Sequence, residues 1–304
     1  MRIEITGIGA CVADTVYTVP YYPSEDKKLK ANECRTLGGG PVSTALVAAS
    51  KLGAKVSYIG NLSDDSSGVF LKNDFIRYGV STENVNVISG YSSFSSVLIL
   101  SEESKSRTCI YDRGNLPGLS LSAENIKAIK ESDVLMLDGN ETKAAVSGAR
   151  IANESGTRVL YDCDGRYPEY EKLLPLTDIM IPSEDFALAV TGLPSAEDAA
   201  VKLFSLYDPE VVVVTQGKNG GIMYDGKDLL HYPVFPSDVV DTNGAGDVFH
   251  GAFAVGLLKK YDFYKCCLFA SAVSALKCRG IGARKNAPVF ETVKEYMKEN
   301  GYEL

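Results

Sequence analysis

No apolar run in this 304-residue chain approaches the roughly eighteen residues that a bilayer-spanning helix requires. Its start, Arg2-Ile3-Glu4-Ile5, runs straight into a strand pattern without signal-peptide character, so cytoplasmic residence with no membrane partner is expected. Histidine is scarce: His231 and His250 stand far apart, and no H-x-x-x-H pair is present to hold zinc. The seven cysteines, at 11, 34, 109, 163, 266, 267 and 278, are odd in number and show no C-x-x-C spacing, which predicts reduced core thiols. A net charge of −8 argues against a nucleic-acid partner. Two common phosphate devices are also missing: no G-x-x-x-x-G-K-[ST] occurs, and Gly7-x-Gly9 lacks the third glycine of a dinucleotide fingerprint.

What is present is enough for one large α/β core, with 45% hydrophobic and 23% charged residues. A buried strand is predicted over 3–9, then a helix over 41–52 launched by Gly38-Gly39-Gly40, with Pro41 suited to its first turn. Strands over 56–59, 134–137, 159–161, 179–181 and 211–215 alternate with helices over 66–78, 142–153 and 196–207. Such alternation predicts a parallel sheet covered on both faces. Three helices close the chain, near 244–258, 263–278 and 290–299. Residues 12–36 and 94–113 break the pattern; the second reads as two β-rich runs separated by 102–106, and neither reads as a crossover helix.

The most informative stretch is Asp241-Thr242-Asn243-Gly244-Ala245-Gly246-Asp247, followed by the apolar helix that begins Val248-Phe249. The first amides of a helix have no intrahelical partners, and the two glycines clear the way for an anion to meet them and the positive end of the dipole. Asp247, in the first turn, is placed to take a proton from a hydroxyl as it attacks a bound phosphate. An isolated Gly-x-Gly would read as a plain helix start; the full seven residues with this helix read as an anion hole beside a general base.

Here the sequence resembles the PfkB, or ribokinase-like, family of carbohydrate kinases, whose signature reads Asp-Thr-x-Gly-Ala-Gly-Asp. The resemblance implies a three-layer α/β/α fold of ribokinase type over 1–304, with a mostly parallel central sheet and a small β-sheet lid formed by 12–36 and 94–113. It implies Asp247 as catalytic base and Gly244, Ala245 and Gly246 as the anion hole, with Asn243 at the nucleotide. Asp14 is expected to hold sugar hydroxyls, together with Gly39, Gly40, Ser43 (where the family usually has asparagine) and Arg113. The Thr-x-Gly-x-x-Gly stretch implies Thr215, Gln216, Gly217 and Gly220 at ATP, and the small-residue helix near 270–278 puts Ser274 and Cys278 beside adenine. The cofactor implied is Mg²⁺ with ATP, with K⁺ at Asp241 and the 279–284 loop in some relatives. Ser183 and Phe186 replace a common Asn-x-x-Glu pair, which leaves Glu184 or Asp185 to serve Mg²⁺ through water. A homodimer through the lid is a further expectation.

Gly-Gly-Gly-Pro, Ser-Glu-Asp-Phe and the Val-Phe-His-Gly after Asp247 look nearest the ketohexokinase and sulfofructose kinase branches, which makes a ketohexose or related furanose the expected acceptor. A nucleoside kinase with Tyr17, Tyr21, Tyr22, Phe94 and Tyr111 lining the lid stays open. So does a sugar or nucleotide sensor that has lost turnover. His250 reads as packing or hydrogen-bonding within its helix.

Overall fold

Short runs of β-branched residues between glycine and aspartate turns make strands too brief to be helices, and longer alanine- and leucine-rich runs make the helices between them. The computed structural model describes residues 2–104 and 106–304; Met1, and Lys105 inside the expected 102–106 break, lie outside the described residues. The first half comprises β1 (Ile5–Ile8), β2 (Val12–Val19), β3 (Glu33–Gly39), α1 (Pro41–Lys51), β4 (Val56–Ser63), α2 (Ser66–Arg77), β5 (Val85–Ile88), β6 (Ser95–Ser101), β7 (Arg107–Asp112) and α3 (Ala123–Glu131). The second comprises β8 (Val134–Leu137), α4 (Thr142–Ser155), β9 (Arg158–Cys163), β10 (Ile179–Pro182), α5 (Glu184–Thr191), α6 (Ala196–Tyr207), β11 (Val211–Thr215), β12 (Gly221–Tyr224), β13 (Leu229–Tyr232), α7 (Ala245–Leu258), α8 (Phe263–Lys277) and α9 (Phe290–Glu299).

Nine strands form one sheet in the order β13-β12-β11-β10-β9-β8-β1-β4-β5. It is parallel from β11 to β5, and β12 and β13 join it antiparallel. The period of two shows in the packing. Val211 and Val213 belong to one core with residues of α1, α7 and α8, whereas Val212 and Val214 belong to the other with residues of α4 and α6. All four valines are fully buried, each contributing about 1.5–3 kcal/mol relative to exposure.

The two irregular segments form a second, four-stranded sheet in the order β3-β2-β6-β7. Its first arm extends to Gly39, three residues beyond the expected 36, because Gly38 and Gly39 still pair with Ala13 and Val12. Register sets Asp14 beside Ser96 and Ser96 beside Tyr111, so these side chains share one face. Elements missing from the sequence reading are short or half-exposed. The edge strand β5 is only partly covered, and α3 buries just Asn125 and Ile129 of its nine residues, although the Ser122–Asn125 capping box fixes its start.

Candidate active site

The helix α7 starts where the sequence predicts, and its first residues are shaped by steric limits. Gly244 caps it with φ of 76°, and a Cβ there would lie 2.4 Å from that of Ala283, so glycine is required twice over. Beside Gly246 the space is open, with no described atom within 4 Å of where a Cβ would sit. The loop in front is held by Asp241, whose Oδ1 accepts from Asn243 N at 2.8 Å and whose Oδ2 accepts from Gly282 N at 2.8 Å.

Two cavities flank this helix start. The first, of about 520 Å³, is lined by Thr215, Gly217, Gly220, Ser274 and Cys278 together with Ala245 and Gly246. Five residues expected at the nucleotide therefore converge with the start of α7. Missing from the sequence reading are Tyr232, Val234, Phe235, Pro236, Val239 and Phe249, which supply its apolar wall. Ser274 donates to the Ala245 carbonyl at 2.8 Å, tying α8 to the first residue of α7.

The second cavity, of about 290 Å³, brings together Asp14, Gly40, Ser96, Arg113, Asn140, Tyr167 and Asn243. Asp14 accepts from the Ser96 hydroxyl at 2.6 Å; burial pushes its carboxyl up, opposed by that hydrogen bond and by Arg284. Its other oxygen lies where a Cβ on Gly39 would come within 2.0 Å, which explains the glycine. The Arg113 guanidinium donates to Asn140 at 3.0 Å and sits over the rings of Phe94 and Tyr167.

Several expected residues occupy other places. Asp14 stands within β2, on the small sheet, and not on the main sheet, whose β1 stops at Ile8. Ser43 is fully buried, its hydroxyl donating to the carbonyls of Gly39 and Ala10 and accepting from Arg284, so it braces the glycine turn from beneath. Gln216 is not in the wall of the first cavity: its amide donates to Glu184 at 2.7 Å. Asn243 lies on the side of Asp14 and accepts from Arg107 of β7 at 2.8 Å. Ser183 caps α5 and Phe186 is buried in the core, so the altered Asn-x-x-Glu pair serves the helix itself.

Asp247 is pushed up to about 7, first by burial and then by the charge of Asp162, with Asp138 and Asp164 adding and His250 opposing. Asp162 is the next-to-last residue of β9, Asp138 directly follows β8, and both are buried. Asp138 accepts from the amides of Ala10, Val42 and Asn140, joining the end of β1 to the start of α1. Neither role was legible in sequence, where each reads as a strand-end aspartate.

The model of the pfkB family carbohydrate kinases matches residues 3–289. The chain belongs to this family. This pfkB kinase is 28% identical to a ribokinase of Haemophilus influenzae, covering 98% of this chain and 99% of the relative. It is 26% identical to a 5-dehydro-2-deoxygluconokinase of Clostridium perfringens, covering 98% and 94%. Its fold matches that of an Arabidopsis thaliana ribokinase complexed with ribose and ATP, with a TM-score of 0.88, 24% identity and coverage of 98% and 99%. The family carries the α/β fold and small second sheet expected of this kinase. No helix among the described residues is long and apolar enough to cross a membrane.

Proposed function

We propose that this carbohydrate kinase moves the γ-phosphate of ATP to a primary hydroxyl of a small furanose sugar. The observation that carries the reading is the convergence at one helix start: a nucleotide-sized cavity reaches Ala245 and Gly246, a sugar-sized one reaches Asn243, and Asp247 stands in the same turn. The base sequence is short. Asp247 takes the hydroxyl proton, the sugar oxygen bonds to the γ-phosphorus, the bond to the β-phosphate oxygen breaks, and ADP leaves. The Gly246 amide and the helix dipole stabilise the charge on the transferring phosphoryl group, whereas the expected Ala245 amide donates to the Thr242 carbonyl at 3.1 Å.

Among the described residues no cluster of three or more His, Cys, Asp or Glu side chains forms a metal cage. This donor set fits Mg²⁺ carried by the nucleotide phosphates and kept largely hydrated, with Glu184, tied to Gln216 just after β11, and exposed Asp185 as the acidic side chains that would serve it through water. When bound, the ion neutralises charge on the phosphates.

Asp14, Asn140 and Arg113 are the proposed acceptor contacts. The two relatives and the ribose-bound structure act on or hold a pentose or a hexose-derived acid, which favours ribose over the ketohexose that the Gly-Gly-Gly-Pro pattern suggests. The outward face of the small sheet, with Tyr17, Ile99 and Ile110 exposed or half-exposed, supports self-association there. An acceptor screen tests the reading: ADP release from Mg·ATP with ribose, fructose, deoxygluconate-type acids and nucleosides. Release with ribose or a related furanose supports it; release with nucleosides alone replaces it with the nucleoside reading, and ATP binding without release for any acceptor replaces it with a sensor.

A further inference from the structure

Lys277 ends α8 with its side chain fully buried, an unusual position for an ammonium. Its Nζ donates to the main-chain carbonyl of Asp241 at 2.7 Å and stands 4.0 Å from the Asp241 carboxylate. Taking an ammonium out of water costs several kcal/mol unless an anion and hydrogen bonds compensate, so this placement points to a purpose for the charge at that spot. The spot lies behind the anion hole, because Asp241 holds the Asn243 and Gly282 amides and Asn243 adjoins Gly244.

The Asp241 region is where the resemblance implies a monovalent cation, and the oxygens here do not fit one. The Asp241 carbonyl is taken by Lys277, and each of its carboxylate oxygens accepts a backbone amide. Across the loop, the Cys278 carbonyl accepts from the amides of Val240 and Asp241, and the Ile281 and Gly282 carbonyls face the Asn286 amide. A potassium site needs several carbonyl oxygens turned toward one open centre. Here the carbonyls of Asp241, Cys278, Ile281 and Gly282 are turned toward protein donors, and an ammonium of the same charge as potassium sits on that of Asp241.

We propose that the Lys277 ammonium is the built-in monovalent cation of this enzyme, so that phosphotransfer needs no added potassium. The inference rests on the kinase reading above for its activity arm only. Lys277 acts as a positioning residue: it neutralises Asp241 and keeps the 241–244 loop set so that the Gly246 amide and the start of α7 face the phosphate.

The test compares the wild-type protein and Lys277→Ala in potassium, sodium and choline buffers of matched ionic strength, reading both turnover and melting temperature. Wild-type turnover and melting temperature are expected to be the same in all three. Lys277→Ala is expected to lose on the order of tenfold to a hundredfold in turnover, less than or similar to removal of a direct oxyanion donor. Potassium or methylammonium is expected to restore much of that loss, and choline none of it, which a merely structural lysine would not allow. A saturable rise in wild-type turnover or melting temperature with potassium, absent with sodium, overturns the proposal, as does a Lys277→Ala protein that stays folded with full turnover. The wild-type arms decide the matter even if the variant does not fold. If no acceptor gives turnover the kinase reading fails, while the melting titration with potassium still decides the cation inference.

Discussion

His250 and Asp162 face each other across the floor of the site: Nε2 lies 3.4 Å from Asp162 Oδ1, while Nδ1 lies 2.7 Å from the Gly246 carbonyl. Nε2 also faces the Ile181 carbonyl at 3.2 Å, so both ring nitrogens meet oxygen acceptors. A neutral imidazole donates only once, so the arrangement needs an extra proton, held on the ring or on the buried Asp162 carboxyl. Burial drives the ring's affinity for that proton down and raises that of Asp162 well above the usual carboxylate range. With that proton on the ring, the Asp162 carboxylate raises Asp247, one turn before His250, and the ring opposes it. Asp162→Asn is expected to move the acid limb of kcat/KM to lower pH, since a like charge nearby raises a carboxyl. A pH profile of sugar phosphorylation for the two proteins checks it; an unmoved limb would disconnect Asp162 from the base.

Asp247 at about 7 gives a pH dependence of definite sign. Below that value the free enzyme holds a protonated carboxyl that cannot accept, so kcat/KM for the sugar is expected to fall about tenfold per pH unit, and above it to level off. Stability runs the other way. The folded carboxyl is raised, so its contribution is full below the ordinary carboxylate range and is lost as pH rises through about 7. Asp247→Asn, which never acquires the charge, is therefore expected to be more stable than wild type in mildly alkaline buffer by on the order of 1–3 kcal/mol, with the difference shrinking toward pH about 4. Urea melts at the two pH values read this directly, and equal stabilities at both would remove the burial argument for Asp247.

The acceptor turn is held from the far end of the chain. Arg284 is buried, pairs with Asp74 of α2 at 2.7 Å, and donates to the Gly39 carbonyl and the Ser43 hydroxyl at 2.7 Å each. Arg284→Met is expected to cost roughly 3–5 kcal/mol, because it leaves Asp74, only 10% exposed at its side chain, without a partner. Arg284→Met/Asp74→Leu should recover part of that stability while the KM for the sugar stays raised, since the Gly39 carbonyl and the Ser43 hydroxyl have still lost the guanidinium that braces the turn. Chemical denaturation with steady-state kinetics on both variants separates the two effects.

That connection also marks how far the sequence could be read. Residues 241–247 announced the start of α7 because every feature involved is local: two glycines, a following apolar helix and an aspartate in its first turn. The strands at 134–137 and 211–215 were legible for the same reason, as short apolar runs between turns. Arg284 was not, since its partner Gly39 stands 245 positions away and nothing near Arg284 signals it. Lys277 reads in sequence as an ordinary basic residue in a last helical turn, favoured there by the dipole, and only the packing of α8 buries it. Ser43 misled because a hydroxyl after a glycine turn is as fit to brace the turn as to meet a ligand.

Gly39→Ala isolates the acceptor side. The added methyl would press on the Asp14 carboxylate, with no change at the nucleotide cavity. Sugar KM is expected to rise by about tenfold or more, the cost of losing one charged hydrogen-bonding group, while ATP affinity stays the same. Calorimetric titration with a non-hydrolysable ATP analogue, alongside sugar kinetics, checks both halves; a matching loss of ATP affinity would mean the two cavities are not separate subsites.

The measurement that bears most directly on the account is ADP release from Mg·ATP with ribose for the wild-type chain and for Asp247→Asn, with ATP affinity followed in parallel. The account predicts sugar-dependent release that falls by roughly two or more orders of magnitude in the variant while ATP affinity is retained. Unchanged release from a folded Asp247→Asn protein would contradict it.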